Sequence, residues 1–195
     1  MTIKDKITPE LKNSFSESIK KTKETDREHG FVMCADKEGK LSASKQKCEG
    51  DLCYITVEQI PEACPEKTQG FFHTHAQKLL LEKLFDRKMT DEDVEELVAK
   101  SREPFRKKGI TIQTPSHQDV LMTLLLKCEK QIEGTVCTGS DLETDKVECW
   151  TTKRSAANKL TCTYAKIDTV TTKEIGIQPK RWIRLLFDKE RINLR

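Results

Sequence analysis

What this sequence lacks narrows the field before any motif is read. Its first residues, Met1-Thr2-Ile3-Lys4-Asp5-Lys6, contain no apolar stretch of the kind a secretion signal needs. No apolar run approaches the ~18 residues that span a bilayer, so no membrane association is expected and the cytoplasm is the expected address. Charge of one sign is missing too: 35 Lys and Arg stand against 32 Asp and Glu, a net charge of +3. That balance argues against nucleic acid as a partner, where a concentrated basic face is expected. There is no internal repeat and no low-complexity segment, so a repeat array is excluded. Cysteine is plentiful, but its usual patterns are absent. None of the eight cysteines forms a Cys-x-x-Cys pair, which removes zinc-ribbon and redox spacings. Cys48, Cys53 and Cys64 are spaced loosely enough for a metal or disulfide set. Without a secretion signal, reduced and partly buried thiols are the expectation.

What is present fits one globular domain over residues 1–195, long enough to bury a real core. Hydrophobic residues make up 35% and charged residues 34%, so the surface must be heavily charged. Residues 8–23 read as a helix: Thr8 is the N-cap, Pro9 suits the first helical position, and Leu11, Phe15, Ile19 and Thr22 form one stripe. Glu28 then opens the apolar run Gly30-Phe31-Val32-Met33-Cys34-Ala35, a buried strand running into a hairpin turn at 36–40. Residues 41–43 and 52–57 are further strand candidates, separated by polar residues 44–51. Between 76 and 115 lies a charged helical excursion: an apolar cluster at 79–85, then a second helix whose start at Thr90-Asp91-Glu92-Asp93 has capping-box form. An apolar helix follows from Pro115, then strands at 134–137 and 147–151 joined by a polar loop. Residues 160–167 alternate as another strand, and the tail 179–195 reads as a docked helix.

The stretch with chemistry in it is Gly70-Phe71-Phe72-His73-Thr74-His75. On a strand, His73 and His75 share a face while Thr74 points away. Two adjacent imidazoles fill a core poorly and hold a metal well; the plainer reading is a polar loop end. A catalytic zinc takes three protein ligands and leaves one position for water. Asp119, one turn into the helix that Ser116 opens, is the best carboxylate for the third. Ser116-x-x-Asp119 is also a capping box in its own right, and Glu28 is also a strand-edge acid beside Arg27, competing with Glu24, Asp26 and Glu38. His117 and His29 are set aside, since each is expected to face away from the pair.

Taken together, Glu28, His73-Thr74-His75 and Pro115-Ser116-x-x-Asp119 resemble the signature of the JAMM (MPN-plus) zinc metallopeptidases, which include deubiquitinases of proteasome-lid type and their prokaryotic relatives. The flanking elements from about residue 8 to 150 fall in the same order. The resemblance implies an α/β (α+β) fold of deaminase-like JAMM/MPN type, a mixed β-sheet sandwiched by helices. It implies that His73, His75 and Asp119 hold Zn²⁺, that Glu28 is the general base, and that Ser116 steadies the oxyanion. The implied activity is hydrolysis of an amide at the C-terminus of a ubiquitin-like or small sulfur-carrier protein. Two rivals are a catalytically silent MPN-like scaffold and a RadC-like metal protein. The chain departs from the pattern at Ala76, where the family usually has proline, and in the 76–115 insertion, which is expected to sit on the rim of the groove as a lid or substrate-selecting element. Residues 151–195 are a C-terminal extension.

Overall fold

A computed structural model describes residues 2–50, 64, 66–100, 119, 123–124, 133–153 and 187–195. The strand expected at 52–57, the one at 160–167, residues 179–186 of the tail, and Ser116 with most of its helix lie outside these.

A short helix α1 (Ile3–Lys6) precedes the long α2 (Pro9–Thr25). Helix α2 begins where its sequence says. Thr8 Oγ1 accepts a hydrogen bond from the Leu11 N–H at 3.2 Å, and Pro9, which has no N–H to satisfy, takes the first turn. The helix stops at Asp26, whose φ of 55° is left-handed, with its N–H returned to the Thr22 carbonyl at 2.9 Å. Two residues later the chain enters β1 (Glu28–Ala35).

Strands β2 (Leu41–Gly50), β3 (Lys67–His75), β4 (Thr135–Ser140), β5 (Glu143–Thr152) and β6 (Phe187–Asn193) complete a sheet of order β2-β1-β3-β4-β5-β6. Only β3 and β4 run parallel; the other neighbours are antiparallel. A parallel pair cannot be joined by a tight turn. Its crossover carries α3 (Gln77–Phe85), α4 (Asp91–Lys100) and the helical residues Asp119, Thr123 and Leu124. The result is a mixed α+β architecture with a mixed sheet flanked by helices, in agreement with the expected class. Gly70 is what lets β4 come in beside β3: a Cβ there would lie 1.8 Å from the Thr135 carbonyl oxygen.

The principal core lies between α2 and one face of the sheet. Leu11, Phe15 and Ile19 of the helix meet Phe31 and Met33 of β1, Phe72 of β3, Cys137 of β4 and Val147 and Cys149 of β5. Phe72 sits with its ring centroid 4.6 Å from that of Phe15 and 5.1 Å from that of Phe31. Burying a side chain of this size stabilises by about 1.5–3 kcal/mol, so these rings fix which face of β1 and β3 turns toward α2. A smaller cluster, Leu81, Met89 and Val94 with Leu142 against it, belongs to the crossover helices. Among the described residues no helix is long and apolar enough to cross a membrane.

Three expectations are corrected. The polar residues 44–50, expected to separate one strand candidate from the next, instead continue β2 as its second half, which pairs with β1 from Glu28↔Gly50 to Ala35↔Leu41. The described end of the tail is not helical. It is strand β6, because its alternating charges find cross-strand partners: Lys189 and Arg191 lie 2.8 and 3.0 Å from the buried Glu148, while Glu190 accepts from the Ile3 and Lys4 N–H groups at 2.8 and 3.1 Å. The cysteines are not all reduced thiols. Cys34 is bonded to Cys64, Cys137 to Cys149, and Cys48 is also disulfide-bonded. Cys137 and Cys149 meet because the β4–β5 register sets them directly opposite, a relation their spacing in the sequence does not display.

Candidate metal centre

Alternation along β3 decides what each residue of Gly-Phe-Phe-His-Thr-His does. Phe72 and Thr74 turn toward α2, and Phe71, His73 and His75 turn to the other face. On β1 the same alternation sends His29 and Phe31 toward α2 and leaves Glu28 on the histidine side. The backbone ladder between the two strands runs from Gly30↔His73 to Ala35↔Lys67. Continuing that register by two residues sets Glu28 opposite His75.

Side chains close the arrangement. Glu28 reaches both rings, Oε2 at 3.7 Å from His73 Nδ1 and Oε1 at 3.7 Å from His75 Nδ1. The two rings stand edge to face, centroids 4.7 Å apart. Asp119 comes from the crossover, its Oδ1 2.9 Å from His73 Nε2. Donor atoms of Glu28, His73 and His75 all lie within 4.8 Å of one another. The side chains are largely withdrawn from solvent, His73 and Asp119 each only 8% exposed.

Two imidazole nitrogens are left without hydrogen-bond partners among the described residues: His73 Nε2 and His75 Nε2. For His73 the 2.9 Å approach of Asp119 is a close electrostatic contact without hydrogen-bond direction. Buried polar nitrogens are almost always satisfied. Unsatisfied imidazole nitrogens in a cluster that also holds carboxylates are what a donor set prepared for a cation looks like, and N and O donors together suit zinc or a similar divalent transition metal.

The electrostatics agree. Burial alone would raise the Glu28 carboxyl, but His73 and His75 beside it outweigh that and hold it down at about 2. Burial alone would lower His73, but the charge and proximity of Asp119, with Glu28 behind, raise it to about 10. Without a metal the cluster therefore keeps a proton on His73 between two carboxylates, and a metal cation would replace that proton.

Of the residues singled out from sequence, Glu28, His73, His75 and Asp119 come together, and Ser116 lies outside the described residues. Sequence reasoning cast Glu28 only as a base, whereas its carboxylate stands in a donor set with both histidines. His29 is on the far face, its ring at 3.0 Å from Thr25 Oγ1. Reasoning from sequence missed Asp141. Helix α3 starts two residues after His75 with Ala76 at its N-cap, which offers no side-chain oxygen; Asp141, just past β4, accepts instead from the Gln77 and Lys78 N–H groups at 2.9 Å each. The start of the crossover is thereby anchored to the end of β4 beside the histidines. No local signal marks a cap that comes from another strand.

Compared with family models, with curated proteins and with solved structures, the chain finds no match.

Proposed function

We propose that this protein is a metal-dependent hydrolase, a zinc peptidase or isopeptidase of JAMM type acting on the amide that follows the C-terminus of a ubiquitin-like or sulfur-carrier protein. The observation that carries the reading is the convergence of Glu28, His73 and His75 with Asp119 against His73 Nε2, leaving His75 Nε2 without a hydrogen-bond partner among the described residues in a largely buried site. His73, His75 and Asp119 would hold the ion. When bound, zinc supplies Lewis acidity, bringing the pKa of a water to near 7 and polarising a carbonyl. Glu28, whose carboxylate oxygens stand 3.7 Å from both imidazoles, would take the proton of the attacking water. As the new C–O bond forms and the C–N bond breaks, it gives that proton to the leaving amine. Ser116 is assigned the hydrogen bond to the developing oxyanion.

The test is metal content followed by turnover. Purified wild type should carry about one zinc per chain and cleave ubiquitin-like fusions, and Glu28→Gln should keep the zinc while losing ~10²–10⁴-fold in rate. Loss of zinc in Glu28→Gln would instead make Glu28 a ligand. A zinc-loaded wild type inert on a broad panel of such fusions would favour a binding scaffold.

A further inference from the structure

The backbone ladder joining β1 to β3 stops at Gly30↔His73, short of Glu28 and His75. Beyond it a side-chain hydrogen bond joins the two strand ends, each of which also pairs with its outer neighbour, Glu28 with Gly50 of β2 and His75 with Ser140 of β4. Thr74, between the two histidines but on the opposite face, accepts a hydrogen bond from the His29 N–H at 2.8 Å, and its Oγ1 lies 3.2 Å from the His29 carbonyl. The same oxygen makes a short contact with Thr22 Oγ1 of α2, and Thr22 donates to the Ser18 carbonyl at 3.0 Å. Proton bookkeeping allows two arrangements, both with the His29 N–H donating to Thr74: Thr74 O–H to Thr22 with Thr22 O–H to the Ser18 carbonyl, or Thr74 O–H back to the His29 carbonyl with Thr22 O–H to Thr74. Thr22 and Thr74 are fully buried, so water is no substitute for any link.

We propose that Thr74 is a positioning residue of the metal centre: its hydroxyl replaces the missing rung between β1 and β3 and so sets where Glu28 stands relative to His73 and His75. The inference rests on the metal-centre reading above. Glu28 immediately precedes His29, whose N–H the hydroxyl holds, while His73 and His75 immediately flank Thr74. A displacement at this junction moves both sides of the donor set in opposite senses. Without the hydroxyl, the His29 N–H and Thr22 lose their shared partner inside a dry core, and the spacing between the ends of β1 and β3 is left to their outer neighbours β2 and β4. The methyl group of Thr74 packs in the core but holds no strand. Serine therefore replaces threonine in this role, and valine, of nearly the same shape, does not.

The experiment measures zinc affinity by chelator competition and the visible spectrum of the cobalt-substituted protein, in wild type, Thr74→Val, Thr74→Ser and Thr22→Val. Outer groups that orient ligands are typically worth 10–100-fold in metal affinity, so Thr74→Val should lose about that much and shift the cobalt bands. Thr74→Ser should stay within about threefold of wild type with an unchanged spectrum, and Thr22→Val should fall between, about fivefold weaker. A folded Thr74→Val with wild-type affinity and spectrum overturns the proposal, as does a Thr74→Ser as impaired as the valine variant. If Thr74→Val does not fold, Thr74→Ala decides, and wild-type affinity and spectrum there overturn it. Wild type that takes up neither zinc nor cobalt removes the metal centre itself, a result distinct from a metal-binding wild type indifferent to Thr74.

Discussion

The two faces of β3 draw on alternate residues of one stretch, Gly70 to His75, and do opposite work. Toward α2, Phe72 closes an aromatic cluster and Thr74 enters a buried hydrogen-bond chain, with every polar atom partnered. Toward the crossover, His75 Nε2 has no hydrogen-bond partner among the described residues, and His73 Nε2 has only the off-direction carboxylate of Asp119 at 2.9 Å. One face spends its residues on stability and the other holds donors in reserve. Alternation with a period of two is enough to separate the tasks, because a side chain on one face never competes for space with its neighbour on the other.

That contrast can be broken from either side. The largest effect should come from His73→Ala, which removes a donor shared by both carboxylates: zinc affinity is expected to fall on the order of a thousandfold, read by chelator competition. Retention of tight zinc binding would show that the reserve face is not a metal site. On the other face, Phe72→Ala should cost about 3–5 kcal/mol in denaturant unfolding, the usual penalty for emptying an aromatic site in a packed core. A loss below about 1 kcal/mol would mean that α2 does not anchor the strand.

Protons offer a finer probe. His73 is raised from its ordinary 6.5 to about 10, so in the metal-free protein its contribution to stability is complete below pH 6.5 and is lost as pH rises through about 10. Glu28, depressed from 4.5 to about 2, contributes above pH 4.5 and loses that contribution as pH falls through about 2. Zinc must displace the His73 proton, so apparent zinc affinity should climb with pH by about tenfold per unit between pH 7 and 9. A flat titration would mean that His73 is already neutral. The smallest effect should belong to Asp141→Ala, which strips the cap from α3 and should lower stability by about 1 kcal/mol in the same unfolding assay. An unchanged midpoint would show that the crossover start is held by other contacts.

Much of this is legible in the amino-acid sequence. Thr8, Pro9 and the Leu11-Phe15-Ile19-Thr22 stripe place α2 because helix caps and periodicity are local. The shared face of His73 and His75 follows from alternation alone. Glu28 needed the β1–β3 register to be seen as a partner of both rings, and a register is a relation between distant segments. The same holds for β6, whose charged residues look like a helix surface until Glu148 of β5 is set beside Lys189 and Arg191. It holds for Cys137 and Cys149, whose spacing says nothing of strands folded back on each other, and for Asp141, a cap supplied from far along the chain. What local chemistry writes into neighbouring residues could be read; what pairing writes across the sheet could not.

The disulfides carry a consequence for how metal is counted. Cys137 sits one position before Thr138, the β4 residue paired with His73, so the sheet beside the donors is cross-linked only while that bond is intact. Reduction would also turn sulfur into a competitor, since a free thiolate is a softer and stronger zinc ligand than a carboxylate. A preparation made under reducing conditions would then report zinc held by cysteine as well as by histidine. Stoichiometry in this protein is therefore best expressed as metal per chain at a stated number of free thiols, with both titrated on the same sample.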